Sequence, residues 1–244
     1  FGNKFPLLIK FIDAKTPLSI QVHPHDNIAK ELHDSFGKNE MWYIIDADNN
    51  ADIIVGFNRQ LDKTSYSKYL ENNNVLKVLN SVKTKTGDAF NIPTGRVHAI
   101  GAGVLLAEIQ QTSDVTYRIY DYGRVDKTTG ETRELHNDLA LDVLDFDVQD
   151  TCKTDYLKES NVSNKLIHTA YFRTNFINLT KSIQKDYSET DSFVIYICTE
   201  GVLEITVNNV NYSLSKGESI LIPANINQLK LTPQKKSKIL EVYY

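Results

Sequence analysis

At 244 residues the chain fits one large domain or two small ones, and it is long enough to bury a sizeable core without covalent staples. Its 41% hydrophobic and 24% charged residues are those of an ordinary globular protein, and its net charge of −4, with lysines and arginines scattered, argues against nucleic acid as a partner. No run nears the ~18 apolar residues of a membrane span, no signal peptide is visible, and two lone cysteines, Cys152 and Cys198, point to a cytoplasmic protein rather than a disulfide framework.

Strand signals dominate the chain. In residues 17–23 Leu18, Ile20 and Val22 alternate with Ser19, Gln21 and His23, which predicts a strand with one apolar and one polar face. A short helix is expected at 26–34, then strands at 40–45 and 52–57. Residues 64–80 carry the helical spacing of Tyr66, Tyr69 and Leu70 and of Val75, Val78 and Leu79. Strands follow at 89–92, 104–110 and 115–120, and a third helix near 134–144 is read from Leu135, Leu139 and Val143. The polar stretch 145–165 reads as a linker. Beyond it strands resume at 170–179, 193–198, 202–207, 210–214, 219–222, 228–232 and 238–243, with Asn208-Asn209 as a hairpin turn. Many short strands separated by turns predict a mainly β protein of the barrel or jelly-roll kind. Two halves are expected: 1–148, with a helical insertion at about 60–82, and 149–244.

Four residues stand out chemically. On a strand, Gln21 and His23 project from the same face, opposite the apolar one, and buried polar groups need a partner such as a metal ion. Glu40 opens the next strand-like run. His98 closes the segment Gly87 to His98, which reads G-x5-P-x-G-x2-H: a strand entering a Pro-Gly turn that delivers a histidine to the next strand. Two imidazoles, a carboxylate and an amide oxygen are ordinary zinc donors. Taken singly, each has a blander reading, with the histidines as satisfied core or surface residues, Glu40 as a solvated strand end and Gln21 as a wall hydrogen-bonder. His25, His33, His136 and His168 lack such context and read as structural or surface residues.

Gly87 to His98 resembles the second motif of the cupin superfamily. Together with 5–24 (FPLLIKFIDAKTPLSIQVHP), 39–46 (NEMWYIID), 92–103 (IPTGRVHAIGAG) and 108–124 (EIQQTSDVTYRIYDYGR), it makes the chain similar to the short bacterial form of type I mannose-6-phosphate isomerase over about residues 5–140. The resemblance implies two cupin-like jelly-roll barrels with short helical insertions in the first, and a strand segment ahead of position 1. It implies one Zn²⁺ per chain held by Gln21, His23, Glu40 and His98. It implies an active-site arginine at Arg118, an acidic residue near the pocket at Glu108, and interconversion of mannose 6-phosphate and fructose 6-phosphate through a cis-enediol. The partner would be a small-molecule hexose 6-phosphate, with no nucleic acid or membrane involved. In the second half Gly217 to Pro223 repeats G-x5-P, but Ala224 to Gln228 lacks the following Gly and His, so a second barrel without a metal site is expected.

An arginine with a pKa above ~12 is a poor base, so Arg118 is read as holding substrate oxygens or enediolate charge. The residues alone favour an ion pair with Asp114, Asp121 or Glu108. Glu108, Lys10 and a metal-bound water are the candidate proton carriers. Lys10 and Trp42 are candidate substrate-binding residues, Trp42 because it alternates with Glu40 along the strand. Two other readings compete: a cupin oxygenase, which favours Fe(II) with two or three histidines, and a non-catalytic sugar-binding cupin.

Overall fold

The structure is a computed structural model that describes residues 3–149 and 151–244. It divides into two compact units, Phe1–Lys153 and Thr154–Tyr244. The division falls inside the stretch expected to be a linker, and residues on its first-unit side are packed. Arg96 pairs with Asp145 at 2.9 Å and donates to the Asp147 carbonyl, Asn80 donates to Cys152 Sγ, and Lys153 pairs with Asp88 at 2.6 Å. Within that stretch Asp145 and Lys153 hold ion pairs to the first unit, while most described residues from 147 to 163 are exposed.

The elements of the first unit are β1 (Leu7–Ala14), β2 (Ile20–Val22), α1 (Asp26–His33), β3 (Glu40–Ala47), β4 (Asp52–Phe57), α2 (Lys63–Glu71), β5 (Leu79–Lys83), β6 (Ala89–Ile92), β7 (His98–Ile100), β8 (Val104–Gln111), β9 (Tyr117–Tyr120) and α3 (Asn137–Val143). The strand expected over 17–23 is regular only over Ile20–Val22, with one further bond from the Leu18 N–H to the Ile100 carbonyl at 2.8 Å. Pro17 has no N–H to give a ladder, and Pro24 follows directly on His23. The expected insertion also ends sooner than about 82. Asp62 and Ser65 form a capping box that starts α2, a 3₁₀ turn covers Val75–Val78, and Leu79 already belongs to β5.

The strands form two antiparallel sheets, β1-β8-β3-β6 and β5-β4-β7-β2-β9. Apolar residues of both sheets share one cluster, among them Trp42, Ile44, Phe90 and Leu106 from the first and Ile53, Val55 and Ile100 from the second. The expected barrel is thus a pair of facing sheets rather than one continuous ring of strand pairing. Each buried Phe, Ile or Leu there contributes about 1.5–3 kcal/mol. The outer face of the second sheet is covered by the helical segments, where Val22, Val97, Tyr117 and Ile119 pack with Tyr66, Val78 and Val143.

The second unit contains β10 (Asn164–His168), β11 (Arg173–Leu179), β12 (Ile183–Asp186), β13 (Val194–Val207), β14 (Val210–Ser215), β15 (Ser219–Ile222) and β16 (Gln228–Tyr243) in one antiparallel sheet. The pairs of short strands expected at 193–207 and at 228–243 are two long ones, carried through by bulges between Cys198 and Leu203. Asn208 and Asn209 both adopt positive φ, 49° and 64°, as a two-residue hairpin turn between β13 and β14 requires. Inside this unit Glu241 accepts from Ser163, Asn175 and Tyr187 and pairs with Lys185.

Candidate metal centre

β8 and β3 are nearly continuous apolar runs, buried on both faces, so the polar residues within them stand out. Glu40, at the start of β3, lies directly across from Gln110 of β8; two residues along, Trp42 lies across from Glu108, and Glu108 across from Lys10 of β1. On the second sheet Gln21 of β2 is flanked by His98 of β7 and Arg118 of β9. Directly opposed strand residues share a face, so His98, Gln21 and Arg118 form one row.

The two sheets bring His23, Glu40 and His98 together. Their ligand atoms all lie within 4.8 Å of one another, and the three side chains are at most 1% exposed. His23 Nε2 is 3.5 Å from Glu40 Oε2 and His98 Nε2 is 3.4 Å from Glu40 Oε1. The other ring nitrogens face carbonyls: His23 Nδ1 meets the Val115 oxygen at 3.0 Å and His98 Nδ1 the Arg96 oxygen at 2.8 Å. A carbonyl only accepts, so each Nδ1 carries the proton and each neutral ring turns its Nε2 lone pair toward Glu40. Burial, helped by the Lys38 charge, lowers His23 to about 3, and burial lowers His98 as well. Burial, the largest influence, would raise Glu40; the Lys38 ammonium, 3.4 Å from Oε2, together with the two histidines outweighs it and holds the carboxylate below its usual range.

The result is four acceptor atoms, His23 Nε2, His98 Nε2 and both Glu40 oxygens, buried without a hydrogen-bond partner. Lone pairs facing a carboxylate in a dry interior are costly unless a cation lies among them. The donor set fits a divalent transition metal such as zinc, and Gln21 lies directly across from His98 on the neighbouring strand.

Glu108 stands two residues along from this cluster. Its Oε1 accepts from Lys10 Nζ at 3.0 Å and its Oε2 from Trp42 Nε1 at 2.9 Å. Burial, then the Glu40 charge, raises its pKa against the opposing pull of Lys38 and Lys10. Trp42 is completely buried and sets its ring edge-on to His98, with centroids 5.4 Å apart. Trp42, expected to line a pocket, is as buried as Glu40 and His98 and touches two residues of this group, His98 and Glu108. Lys10 is half-exposed and also donates to Gln110 at 2.7 Å.

Arg118 makes no ion pair among the described residues. Asp121, one of its expected partners, pairs with Arg124 and Arg133, and Glu108 pairs with Lys10. The Arg118 guanidinium donates instead to the Glu134 carbonyl at 3.0 Å and to Ser19 Oγ at 3.4 Å. Three arginines, Arg118, Arg124 and Arg133, stand here against two carboxylates, Asp121 and Glu134, which leaves this edge positive by one charge.

Sequence reasoning missed Lys38 and Gln110, both buried. The signal was present: Lys38 precedes Glu40 by two residues in extended chain, and Gln110 follows Glu108 by two on β8, so each shares a face with a residue already singled out. A separate cavity of about 870 Å³ opens at the far end of β3, lined by Asp13, Asp46, Asp48 and Asp52. Its negative field repels an anionic ligand.

Comparisons with known proteins find the chain similar to mannose-6-phosphate isomerases. Residues 163–240 match the mannose-6-phosphate isomerase cupin domain, and residues 1–55 match the phosphomannose isomerase type I catalytic domain. The chain is 37% identical over 234 residues to mannose-6-phosphate isomerase ManA of Bacillus subtilis (strain 168), an alignment covering 94% of this chain and 73% of that protein. It is 33% identical over 231 residues to the mannose-6-phosphate isomerase of Streptococcus mutans serotype c, covering 93% and 72%. The crystal structure of the mannose 6-phosphate isomerase from Bacillus subtilis superposes with a TM-score of 0.90 at 31% identity, over 100% of this chain and 77% of that one.

Proposed function

The chain belongs to the type I mannose-6-phosphate isomerase family, and from that premise we propose that it interconverts mannose 6-phosphate and fructose 6-phosphate with a zinc ion held by His23, Glu40, His98 and Gln21. The observation that carries the metal part is the set of four buried acceptor atoms on His23, Glu40 and His98 that have no hydrogen-bond partner, one of them, Glu40 Oε2, also facing the Lys38 ammonium. When bound, the ion supplies Lewis acidity to the sugar oxygens at C1 and C2, which makes the intervening proton removable.

The remaining chemistry falls to side chains. The reaction moves one proton between C2 and C1 through a cis-enediol. Glu108 carries that proton: its raised pKa suits a carboxyl that must both take and return it. Lys10 and Trp42 fix its orientation by holding one oxygen each. Arg118, with no carboxylate of its own, stabilises the negative charge that develops on the substrate oxygens. Arg124 and Arg133, beside it, leave net positive charge for the phosphate. Lys38 keeps Glu40 ionised.

Among the described residues no helix is long and apolar enough to cross a membrane; two free cysteines, Cys152 and Cys198, suit a reducing cytoplasm. The two-histidine, one-carboxylate, one-amide donor set favours zinc over the Fe(II) of a cupin oxygenase. A coupled assay for fructose 6-phosphate tests the proposal: activity lost to chelator and restored by Zn²⁺ supports it. Metal bound without turnover of mannose 6-phosphate supports a non-catalytic sugar-binding protein instead.

A further inference from the structure

We propose that His136 is a positioning residue for Arg118, holding the backbone of that arginine so that its guanidinium stays fixed between Ser19 and the Glu134 carbonyl. The inference rests on the role given to Arg118 above.

β9 is the last strand of its sheet, with β2 on one side only. An edge strand leaves a row of main-chain groups without ladder partners and is the part of a sheet most prone to move. At Arg118 one residue takes both groups. The Arg118 N–H donates to His136 Nδ1 at 3.2 Å, and the His136 N–H donates to the Arg118 carbonyl at 2.7 Å. The Glu134 carbonyl accepts from Arg118 Nη1 at 3.0 Å, so one short segment fixes both the backbone and the guanidinium.

His136 also occupies the N-cap position of α3, where a side chain ordinarily accepts from the first free N–H groups of the helix. It makes no such bond. Its ring is turned to Arg118 instead, which α3 stability alone does not require. Because a main-chain N–H can only donate, Nδ1 is the acceptor and the ring proton sits on Nε2, 3.9 Å from Glu134 Oε2.

The test is a comparison of His136→Ala, His136→Gln and His136→Asn in steady-state turnover of mannose 6-phosphate, with metal content and melting temperature measured in parallel. Asparagine keeps its acceptor at the δ position; glutamine moves it one bond outward. Ala and Gln are expected to lower kcat about ten- to hundredfold, the scale of a misplaced catalytic group, with KM and metal content little changed. Asn is expected to recover most of kcat. In an Arg118→Lys background, His136→Ala is expected to cost much less than in the wild type, because the two residues act as one unit. Full activity in His136→Ala, equal behaviour of Asn and Gln, or the same loss in both backgrounds overturns the inference. If Arg118→Lys alone leaves kcat unchanged, the role of Arg118 fails and takes this inference with it; an inactive wild type removes the isomerase reading itself.

Discussion

His98 and Glu40 come from different sheets of the first unit, yet His98 Nε2 lies 3.4 Å from Glu40 Oε1, and neither atom has a hydrogen-bond partner. A folded protein keeps such a pair only where something compensates for it. Removing the compensating ion should therefore be felt as lost stability. An ion bound at 100 times its Kd stabilises by about 2.7 kcal/mol, and for a chain of this size each kcal/mol moves the melting temperature by about 2–4 °C. Chelator is expected to lower the melting temperature by about 5–10 °C, read by calorimetry, and Zn²⁺ to restore it.

Trp42 holds Glu108 through a single indole N–H while its ring fills the core. Trp42→Phe removes that donor and keeps much of the packing. With Oε2 of Glu108 released, kcat is expected to fall about tenfold while the metal content stays at the wild-type level. Turnover kinetics beside metal analysis check this, and an unchanged kcat removes the orienting role given to Trp42.

The second unit carries an acid-sensitive carboxylate. Burial pushes the Glu241 pKa up, but Lys185 at 2.7 Å and the bonds from Tyr187 and Asn175 outweigh it, so the folded value lies below the ordinary 4.5. A folded pKa below the unfolded one means that the contribution is complete above about 4.5 and is lost as pH falls through the folded value. Glu241→Gln is expected to cost about 3–5 kcal/mol near neutral pH, as breaking a buried ion pair does, and to flatten the fall in stability below pH 4.5. Melting curves from pH 3 to 7 for both proteins give the comparison.

Phe57 stacks on Phe146 at 5.3 Å between centroids and meets Tyr66 edge-on at 5.7 Å. It thereby ties α2 and the segment after α3 to the second sheet. Phe57→Ala is expected to destabilise by about 3–5 kcal/mol, measured by denaturant unfolding. A cost under 1 kcal/mol would mean that these segments pack independently of it.

How much of this was legible in the sequence depended on period and spacing. The alternation of polar and apolar residues up to His23, and the Pro-Gly turn ahead of His98, marked two histidines that the two sheets bring together with Glu40. Asn208-Asn209 marked its hairpin because two positive φ angles in succession suit few other residues. Strand lengths were not legible, since bulges let β13 and β16 run through positions where the alternation breaks. The linker read at 145–165 contains the division between the units, but the ion pairs that tie Asp145 and Lys153 to the first unit were not legible, because composition does not show a partner. Arg118 was the harder case. Its neighbours in sequence include acids, and only the fold reveals that Asp121 is already held by Arg124 and Arg133. The position of Trp42 was half legible: alternation put it on the face of Glu40, but not its depth.

The most direct measurement is metal analysis of the purified wild type and of Glu40→Gln, joined to an anomalous-scattering map at the zinc edge for each. One zinc per wild-type chain, with its peak among His23, Glu40 and His98, and no ion in Glu40→Gln is the predicted result. An active wild type without metal, a peak elsewhere in the molecule, or full metal retention by Glu40→Gln would contradict the account.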